Sequence, residues 1–500
     1  MKQQTPVSQS GIGLTESERP AGSNDRSPGK SWWRGRPGLN RQTLPLLLLV
    51  VVSAISFGAR IAWIGEPCRA PCTTPSDHVL IFDESYYVTA ARAIAGIKPG
   101  PKTPYAGSPT GVDPNSEHPQ LTKLIMAGSI KLFGDGPFAW RIPSILLGSL
   151  AILGMFLLVR SVGGGRWQAL GASMLMAADD FILIDGRIGT LEIYAVTAMI
   201  WGAILYLQRR PFAAGILLGI GACCKEIVPF VGLTFVLIEL YRWFMTSRRG
   251  VSIDGWSIRT ALRRLVICGV CTIAVFLGLV EAFDYVAPPY DPIAHKLVGG
   301  GLIGHLEHMV HYRIGTANQP GPNTIASSPW GWLVDYKPIT YLFINPAKPS
   351  PNLENIYPAV NFVGIINPPL LAGALIGLLI AIIGLGRIMA GRGVKHDTET
   401  GNRNGLALLS VAWVLGTWIP FLVLRLFFLR VTYFYYASVI TPGIYLGAVY
   451  LCDRLYGRRI GRWRTGRWLL LGFGVLVLGA AVVLYPFTPV TPLAQLPFRW

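Results

Sequence analysis

Long runs of apolar residues alternate with short polar connectors over most of the chain. A helix that crosses a bilayer needs about 20 apolar residues, and a segment exposed to lipid satisfies its backbone hydrogen bonds by forming a helix. The pattern therefore predicts an all-α polytopic membrane protein. Its eleven expected spans lie at about residues 44–64, 138–159, 167–183, 192–208, 211–224, 227–244, 262–283, 362–390, 405–424, 431–452 and 468–486.

The segments between these runs divide the chain further. Residues 1–43 are rich in Ser, Gly, Pro and Arg without apolar periodicity, which predicts a disordered tail. The first span, 44–64, is separated from spans two to seven (138–283) by a long segment, 65–137. A second long segment, 284–361, precedes spans eight to eleven (362–486), and residues 487–500 form a short carboxyl-terminal tail.

Charge predicts the orientation of these spans. Cytoplasmic connectors retain Lys and Arg, whereas translocated loops do not. The basic connectors alternate with the spans so that all fall on the side of residues 1–43, which predicts a cytoplasmic amino terminus and two long extracytoplasmic loops. These connectors contain Arg160 and Arg166, Arg209 and Arg210, Arg248 and Arg249, Arg387 to Lys395, and Arg454 to Arg467.

Composition excludes an ordinary soluble protein and a nucleic-acid partner. The chain is 51% hydrophobic and only 14% charged, with a mean hydropathy of +0.45. Its net charge of +18 is explained by orientation, because no basic cluster is interleaved with stacking aromatic residues. The seven cysteines do not have the spacing of a four-ligand metal site. Cys68 and Cys72 lie in the first outer loop, where either a local disulfide or two free thiols are consistent with the sequence.

An acidic pair, Asp83-Glu84, follows the first span. An alanine-rich apolar stretch continues to Ala95 and predicts a short helix against the membrane surface, with Asp83 at its start. Backbone amides and the helix dipole would keep such a carboxylate ionised. Asp83 is therefore either a helix cap or a functional carboxylate.

A second polar cluster interrupts the apolar sequence between spans three and four. Charges at this depth are costly and normally face a cavity or one another; the cluster contains Asp179, Asp180, Asp185, Arg187 and Glu192. Lys225-Glu226 lies in the next outer hairpin. All these groups are expected at one membrane level, where carboxylates can act as a base and cations can bind a lipid phosphate. An ion-paired structural hairpin is the alternative.

The second outer loop carries a group of histidines. The side chains recur every three residues, so an irregular helix would align them on one face; they are His305, His308 and His311, with Glu307 and Arg313 beside them. A metal site is one interpretation. A wet, partly cationic surface element is the interpretation we favour.

Several short motifs resemble the bacterial dolichyl/polyprenyl-phosphate-mannose protein O-mannosyltransferase family, glycosyltransferase family 39, which has the GT-C membrane fold. In the first loop they are Phe82–Tyr87, His118–Lys123 and Phe133-Gly134, followed by Arg141 at the start of the second span. Farther along, the similar positions are Gly186–Tyr194, Lys225, Met309, Tyr312, Ser328–Trp330, Trp332 and Lys337-Pro338. The chain departs from the family pattern within His118–Lys123 and at Arg313, where the family has histidine. These departures leave the sugar and the acceptor open.

The resemblance implies a reaction and roles for named residues. The donor would be a polyprenyl-phosphate sugar, with mannose as the sugar, and the acceptor a Ser or Thr hydroxyl of a translocated protein. Asp83 would act as the base, with Glu84 orienting the acceptor or sharing that role. The donor phosphate would bind to Arg187, Lys225 and Arg313. The substrate pocket would include Tyr86, Tyr87, His118, Asp185, Glu192 and Trp330.

The resemblance also bears on cofactors, location and alternative functions. No cofactor is required; a divalent metal, if bound, would use Asp83, Glu84 and the acids near Asp185. The expected location is the bacterial plasma membrane, with membrane lipid as a partner. One alternative is a GT-C enzyme acting on a glycolipid or cell-wall glycan acceptor. The alternative from another class is a transporter or flippase of lipid-linked sugars, with the acids as coupling sites.

Overall fold

The computed structural model describes residues 43–251, 255–317, 325–345, 355–392, 398–456, 458–459 and 465–487. The predicted tails, 1–43 and 487–500, lie outside this range except for Thr43 and Phe487. The described α-helices are α1 Leu44–Ile61, α2 Glu84–Ile94, α3 Leu121–Phe133, α4 Pro137–Ser161, α5 Arg166–Ala177, α6 Asp180–Asp185, α7 Glu192–Leu207, α8 Pro211–Ala222, α9 Val231–Arg249, α10 Ile258–Val286, α11 Gly301–Ala317, α12 Pro329–Trp332, α13 Pro368–Met389, α14 Thr398–Phe427, α15 Thr441–Tyr456 and α16 Thr465–Leu484.

The helical prediction is confirmed, but the count of eleven spans is not. Each predicted run corresponds to a helix, and seven of the described helices are long and apolar enough to cross a membrane: α1, α4, α9, α10, α13, α14 and α16. The other four predicted spans correspond to shorter helices, α5 and α8 with 12 residues each and α7 and α15 with 16 residues each. Of these four, α7 and α15 are mostly buried.

Three predicted span boundaries are wrong for local reasons. The run 167–183 breaks because the Asp179 side chain accepts a hydrogen bond from the Phe181 amide and caps α6. The run 362–390 begins in a strand, and α13 starts only after Asn367, whose side chain caps the Leu370 amide. The run 431–452 begins with a 3₁₀ segment, Phe434–Val439, before α15. Apolar composition alone did not show these interruptions.

The helices pack around a core of large buried side chains. α7 packs against α4 and α8, α8 against α10, and α15 against α13 and α14. Trp140, Trp413 and Tyr445 are fully buried in this core. By contrast, α10 and α16 keep most of their apolar surface exposed, as expected for helices that face lipid.

Within the described ranges, three small antiparallel sheets accompany the bundle, a minor departure from an all-α prediction. The strands pair as β1 (Cys68–Arg69) with β5 (Ile356–Tyr357), β2 (Tyr290–Asp291) with β3 (Lys296–Leu297), and β4 (Ile339–Ile344) with β6 (Val360–Gly364). The register of the last pair shifts between Thr340 and Leu342. Because β1 and β5 come from the two long loops, both loops lie at the same end of the bundle. Cys68 and Cys72 form a disulfide there.

Candidate active site

Asp83 lies immediately before α2, as predicted, but it does not cap that helix. Its backbone carbonyl accepts hydrogen bonds from the amides of Tyr86 and Tyr87, both at 3.0 Å. Its carboxylate makes no capping bond and has no hydrogen-bond partner among the described residues. The side chain is half-buried. Asp83 therefore presents carboxylate oxygens that remain available to a substrate.

Glu84, the next residue, has the opposite environment. Its side chain is fully buried, and Arg141 donates to both carboxylate oxygens, at 2.9 and 2.8 Å. The backbone amides of Ile81 and Gly189 also donate to it, each at 2.7 Å. These four hydrogen bonds tie the start of α2 to α4 and to the loop before α7. The predicted sharing of the base role by Glu84 is not supported, because its oxygens are already occupied.

A buried ion pair lies on the other side of Asp83. Lys225 donates to Glu192, the first residue of α7, and its Nζ lies 5.1 and 5.0 Å from the ring centroids of Tyr435 and Tyr436. Burial, and then the negative charge of Glu192, raise the pKa of Asp83 to about 7, against the lowering effect of Lys225. A carboxyl group with a pKa near neutrality is suited to general-base catalysis.

Three tyrosines form one wall of the site, and sequence analysis missed them. Tyr433, Tyr435 and Tyr436 are termed the tyrosine cluster here, with ring centroids 4.7 to 6.0 Å apart. Phe82 packs against Tyr435 at 5.8 Å and so connects the cluster to the residue before Asp83. These residues fall at the start of the predicted span 431–452. The density of polar aromatics at that boundary was the available signal.

The other first-loop residues of the predicted pocket are divided between its surface and its base. Tyr86 is exposed, with its ring 6.2 Å from that of Tyr105. Tyr87 is buried and lies edge-on to His118, at 6.0 Å between ring centroids. The Nδ1 atom of His118 lies 3.5 Å from a carboxylate oxygen of Glu226. The motif that contains His118 therefore lies next to the Lys225 hairpin.

Asp185 lies behind the pocket. Its side chain is buried and accepts a hydrogen bond from the Tyr341 hydroxyl at 3.1 Å. The ring of Tyr341 packs edge-on against Phe82, 5.1 Å away. Asp185 therefore supports the wall beside Asp83 through an aromatic side chain, and a direct contact with Asp83 is not formed in the described part of the chain.

Arg187 has a structural environment that its motif did not predict. Its guanidinium donates to the backbone carbonyls of Arg60, Ala62 and Trp63 at 2.6 to 2.9 Å, and it lies 4.5 Å from the ring centroid of Phe487. The side chain is fully buried. Arg187 therefore caps the carboxyl end of α1, where cations are favourable. The structure does not favour the predicted phosphate-binding role, because these carbonyls bind Nη1 and Nη2 of the guanidinium, and its Nε is buried.

The remaining predicted site residues are Arg313 and Trp330. The side chain of Arg313 lies outside the described residues. Trp330 is more than half exposed, at 54%. Its neighbour Trp332 is buried and packs edge-on against Tyr436, at 6.4 Å. Trp332, rather than Trp330, therefore supports the tyrosine cluster.

The histidines of α11 join the two long loops. His305 is buried, with Nδ1 2.8 Å from Asp284 and Nε2 3.0 Å from the carbonyl of Ser116. The Nε2 atom of His308 lies 3.1 Å from the hydroxyl of Ser116. The expected surface element is therefore wrong for His305, because its ring packs against the first loop. No group of three or more His, Cys, Asp or Glu within the described ranges is arranged to hold a metal ion.

Comparison with known proteins finds similar sequences. Residues 117–268 match the family model described as dolichyl-phosphate-mannose-protein mannosyltransferase. A polyprenol-phosphate-mannose--protein mannosyltransferase of Corynebacterium glutamicum is 24% identical over 320 residues, which cover 52% of this chain and 59% of that protein. A protein of the same name from Mycolicibacterium smegmatis is 22% identical over 503 aligned positions, which cover 90% of each chain.

Structural comparison extends this similarity to the arrangement of the helices. The S. cerevisiae protein O-mannosyltransferase Pmt1-Pmt2 complex bound to the sugar donor matches with a TM-score of 0.64, at 12% identity, over 89% of this chain and 90% of the matched chain. The chain has the GT-C fold. In this GT-C chain, Asp83, Lys225 and the tyrosine cluster lie together at the end of the bundle that carries both long loops. The predicted fold class is therefore confirmed.

Proposed function

We propose that the protein is an inverting GT-C glycosyltransferase that moves mannose from a polyprenyl-phosphate carrier to Ser or Thr hydroxyls of translocated proteins. The observation that carries this proposal is the Asp83 carboxylate, which has no hydrogen-bond partner among the described residues and lies near the Lys225–Glu192 pair. The similarity to mannosyltransferases supports the substrate class.

The proposed reaction is a single displacement in which Asp83 is the base. The acceptor oxygen attacks the anomeric carbon and transfers its proton to the Asp83 carboxylate. The bond between that carbon and the phosphate oxygen breaks, and the electron pair leaves with the polyprenyl phosphate. Attack opposite the leaving group inverts the anomeric configuration. A pKa of about 7 leaves a large ionised fraction of Asp83 at neutral pH.

Lys225 is proposed to stabilise the phosphate as it leaves. Its ammonium group has three donors, of which Glu192 takes one. Glu192 also keeps the buried ammonium charged, since a buried cation without a partner is strongly disfavoured. Negative charge that develops on the departing phosphate is therefore met by a cation that is already in place.

The tyrosine cluster is proposed to contact the sugar. Its three rings offer flat apolar surfaces, and each carries a hydroxyl that donates and accepts hydrogen bonds. A pyranose has apolar C–H faces and polar hydroxyl edges, so this combination fits it. Because Lys225 packs against two of these rings, a sugar on the cluster lies beside the phosphate.

We propose that transfer requires no resident metal. A lipid phosphate is already a good leaving group, so positioning and charge stabilisation are the main needs. Treatment with EDTA should leave the activity of the purified protein unchanged. Loss of activity that added Mg²⁺ or Mn²⁺ restores would instead mean that transfer requires a divalent cation.

The proposed location is the bacterial plasma membrane, with residues 1–43 in the cytoplasm and both long loops outside. In this orientation the lipid-linked donor enters the site from the surrounding membrane lipid, and translocated acceptor proteins enter it from the outer side. Lys131 is exposed on α3, within the first long loop. A cysteine introduced there should react with a membrane-impermeant thiol reagent in intact cells.

The deciding experiment uses purified protein, radiolabelled polyprenyl-phosphate mannose and a mixed pool of membrane acceptors. Label in polypeptide, released by β-elimination, is the expected result, and Asp83→Asn should remove it. Label in a glycolipid or cell-wall glycan would assign the other acceptor class. Export of a lipid-linked sugar without any glycosylated product would establish a transporter instead.

A further inference from the structure

A cavity that the proposed reaction does not use adjoins the ring of Tyr436, on which Lys225 also packs. Arg430, in the connection after α14, is half-buried and lines a cavity of about 180 Å³. The other lining residues are Glu226, Ile227, Phe230, Phe421, Leu424 and Tyr436. Apart from Arg430, Glu226 and Tyr436, this lining is apolar. A guanidinium against such a wall can pair with an anion that has an apolar attachment, with Glu226 as the opposing charge.

Tyr436 connects this cavity to the active site. The ring that lines the Arg430 cavity also packs against Lys225, whose Nζ lies 5.0 Å from its centroid. It packs against Tyr435 as well, at 4.7 Å. Arg430 and Lys225 thus lie near the same tyrosine ring, and both charges act on a group bound beside it.

The two arginines that a donor phosphate could meet differ in availability. Arg187 donates to three backbone carbonyls at the end of α1. Arg430 instead lines a cavity, where its side chain is hydrogen-bonded to Tyr436 and to no backbone carbonyl that closes a described helix. Among the charges that face this cavity, the acidic one is Glu226, which also lies 3.5 Å from Nδ1 of His118. The local field on an anion is therefore set by Arg430 and Lys225 against Glu226 and Glu192.

An apolar groove of about 370 Å³ runs from the same place between α8, α9 and α10. Glu226 lines both the groove and the Arg430 cavity. The groove is otherwise almost entirely apolar, and its walls include Leu218, Pro229, Phe235, Leu265 and Phe276. α10 is among the helices that face lipid, so a chain in this groove can enter from the bilayer.

Two glycines keep the groove open. Gly232 on α9 and Gly269 on α10 both line it, and a methyl group added at either position would meet nothing within 4 Å. Larger side chains at these positions would project into free space and occupy it. The groove width therefore depends on these two residues, which provides a direct means of testing its occupant.

We propose that Arg430 binds the phosphate of the lipid-linked donor and that the groove of α8, α9 and α10 holds its polyprenyl chain. This inference rests on the proposed function and adds a binding residue to it. The occupant follows from continuity: a cation lies at one end, an apolar channel leads away from it, and the channel opens toward lipid. A guanidinium can donate two parallel hydrogen bonds to phosphate oxygens.

The first test compares Arg430→Gln and Arg430→Lys with Arg69→Gln, a control that removes an exposed arginine. Arg430→Gln should raise the donor concentration for half-maximal transfer about tenfold or more, as for loss of a charge-assisted hydrogen bond. Arg430→Lys should have a smaller effect and Arg69→Gln none. Polyprenyl phosphate should raise the melting temperature of the wild type and of Arg69→Gln but much less that of Arg430→Gln.

The second test fills the groove. Gly232→Leu and Gly269→Leu should raise the KM of a long-chain polyprenyl-phosphate mannose several-fold, while a donor with two isoprene units keeps its wild-type KM. Gly278→Leu is the matched control, because Gly278 also lies on α10 with nothing within 4 Å and does not line the groove. An equal effect on the KM of both donors would show that the groove does not hold the polyprenyl chain of the donor, and would indicate a site for surrounding membrane lipid instead.

The two failures are distinguishable. A wild-type protein that transfers mannose from neither donor overturns the proposed function. An active wild type whose donor KM and response to polyprenyl phosphate are unchanged in Arg430→Gln overturns only the present inference. If Arg430→Gln does not fold, the other variants decide. The present inference is then overturned if the donor KM is unchanged in Arg430→Lys and the dependence of KM on chain length is unchanged in the glycine variants.

Discussion

Two neighbouring carboxylates, Asp83 and Glu84, occupy opposite kinds of environment. Glu84 is fully buried and accepts four hydrogen bonds, two of them from Arg141. Asp83 is half-buried and accepts none among the described residues. Two consecutive acidic residues of one motif can therefore have different roles: Glu84 holds the structure together, and Asp83 is available to react. The number of hydrogen bonds that each carboxylate accepts, rather than the residue type, distinguishes the two roles.

The same contrast distinguishes the two cations that the motifs placed together. Arg187 donates to backbone carbonyls at the end of α1. Lys225 has one carboxylate partner and lies against two aromatic rings. The Glu84 and Arg187 region therefore holds the first loop on the bundle. The Asp83 and Lys225 region leaves functional groups available.

The largest expected effect is that of Asp83→Asn on mannose transfer. Loss of a general base costs about 10²- to 10⁴-fold in rate. Because Asn removes a carboxylate that burial disfavours, the variant should be at least as stable as the wild type above pH 7. Initial rates with polyprenyl-phosphate mannose and thermal unfolding in detergent check both parts. Full activity would exclude Asp83 as the base.

Glu84→Gln should affect stability instead. It leaves Arg141 buried without a negative partner, and breaking a buried pair in this way costs about 3 to 5 kcal/mol. We expect less folded protein in membranes and a lower melting temperature, whereas the rate per folded molecule should stay close to wild type. The rate per folded molecule is measured as radiolabel transfer normalised to active-site titration or to the amount of folded protein. A stable but inactive Glu84→Gln variant would show that Glu84 has a catalytic role.

A pair of smaller effects should separate the two cations. Lys225→Met should raise the donor KM by about tenfold, the value of a charge-assisted hydrogen bond. Arg187→Met should leave the donor KM unchanged while it lowers the melting temperature, because it frees carbonyls at the end of α1. Donor titrations on both variants, normalised to folded protein, make the comparison. A raised donor KM in Arg187→Met would contradict the structural assignment.

The apolar runs predicted the helical class and the approximate position of each long helix, because twenty apolar residues have few alternatives in a membrane. The polar interruptions escaped the same reasoning. The cap at Asp179 and the 3₁₀ segment Phe434–Val439 depend on individual hydrogen bonds within otherwise apolar sequence. The tyrosine cluster was not predicted for a different reason: tyrosines at the start of an apolar run resemble the aromatic belt at a membrane interface.

Prediction of the site was limited by long-range contacts. The predicted topology brought Asp83 to the same level as Glu192 and Lys225, although Asp83 lies more than 100 residues before either of them. They did not show that Glu84 would be saturated by Arg141 and Gly189, because each partner comes from a different element. Arg430 carried no motif at all. Its position against Tyr436 depends on where α14 ends.

The smallest expected effect concerns the pH dependence of transfer. As a base, Asp83 must be ionised, so kcat/KM should be maximal above pH 7 and fall as the pH drops through the Asp83 pKa of about 7. Glu192 raises that pKa; Glu192→Gln should therefore lower it and move the acidic limb to lower pH. The variant would then keep a larger fraction of its own maximal kcat/KM at pH 6.

The Glu117→Gln variant is the control, because Glu117 is not among the groups that raise the Asp83 pKa. An acidic limb that stays in place in Glu192→Gln would mean that another group controls the pH dependence, and it would separate Asp83 from the proton transfer that the contrast with Glu84 assigns to it.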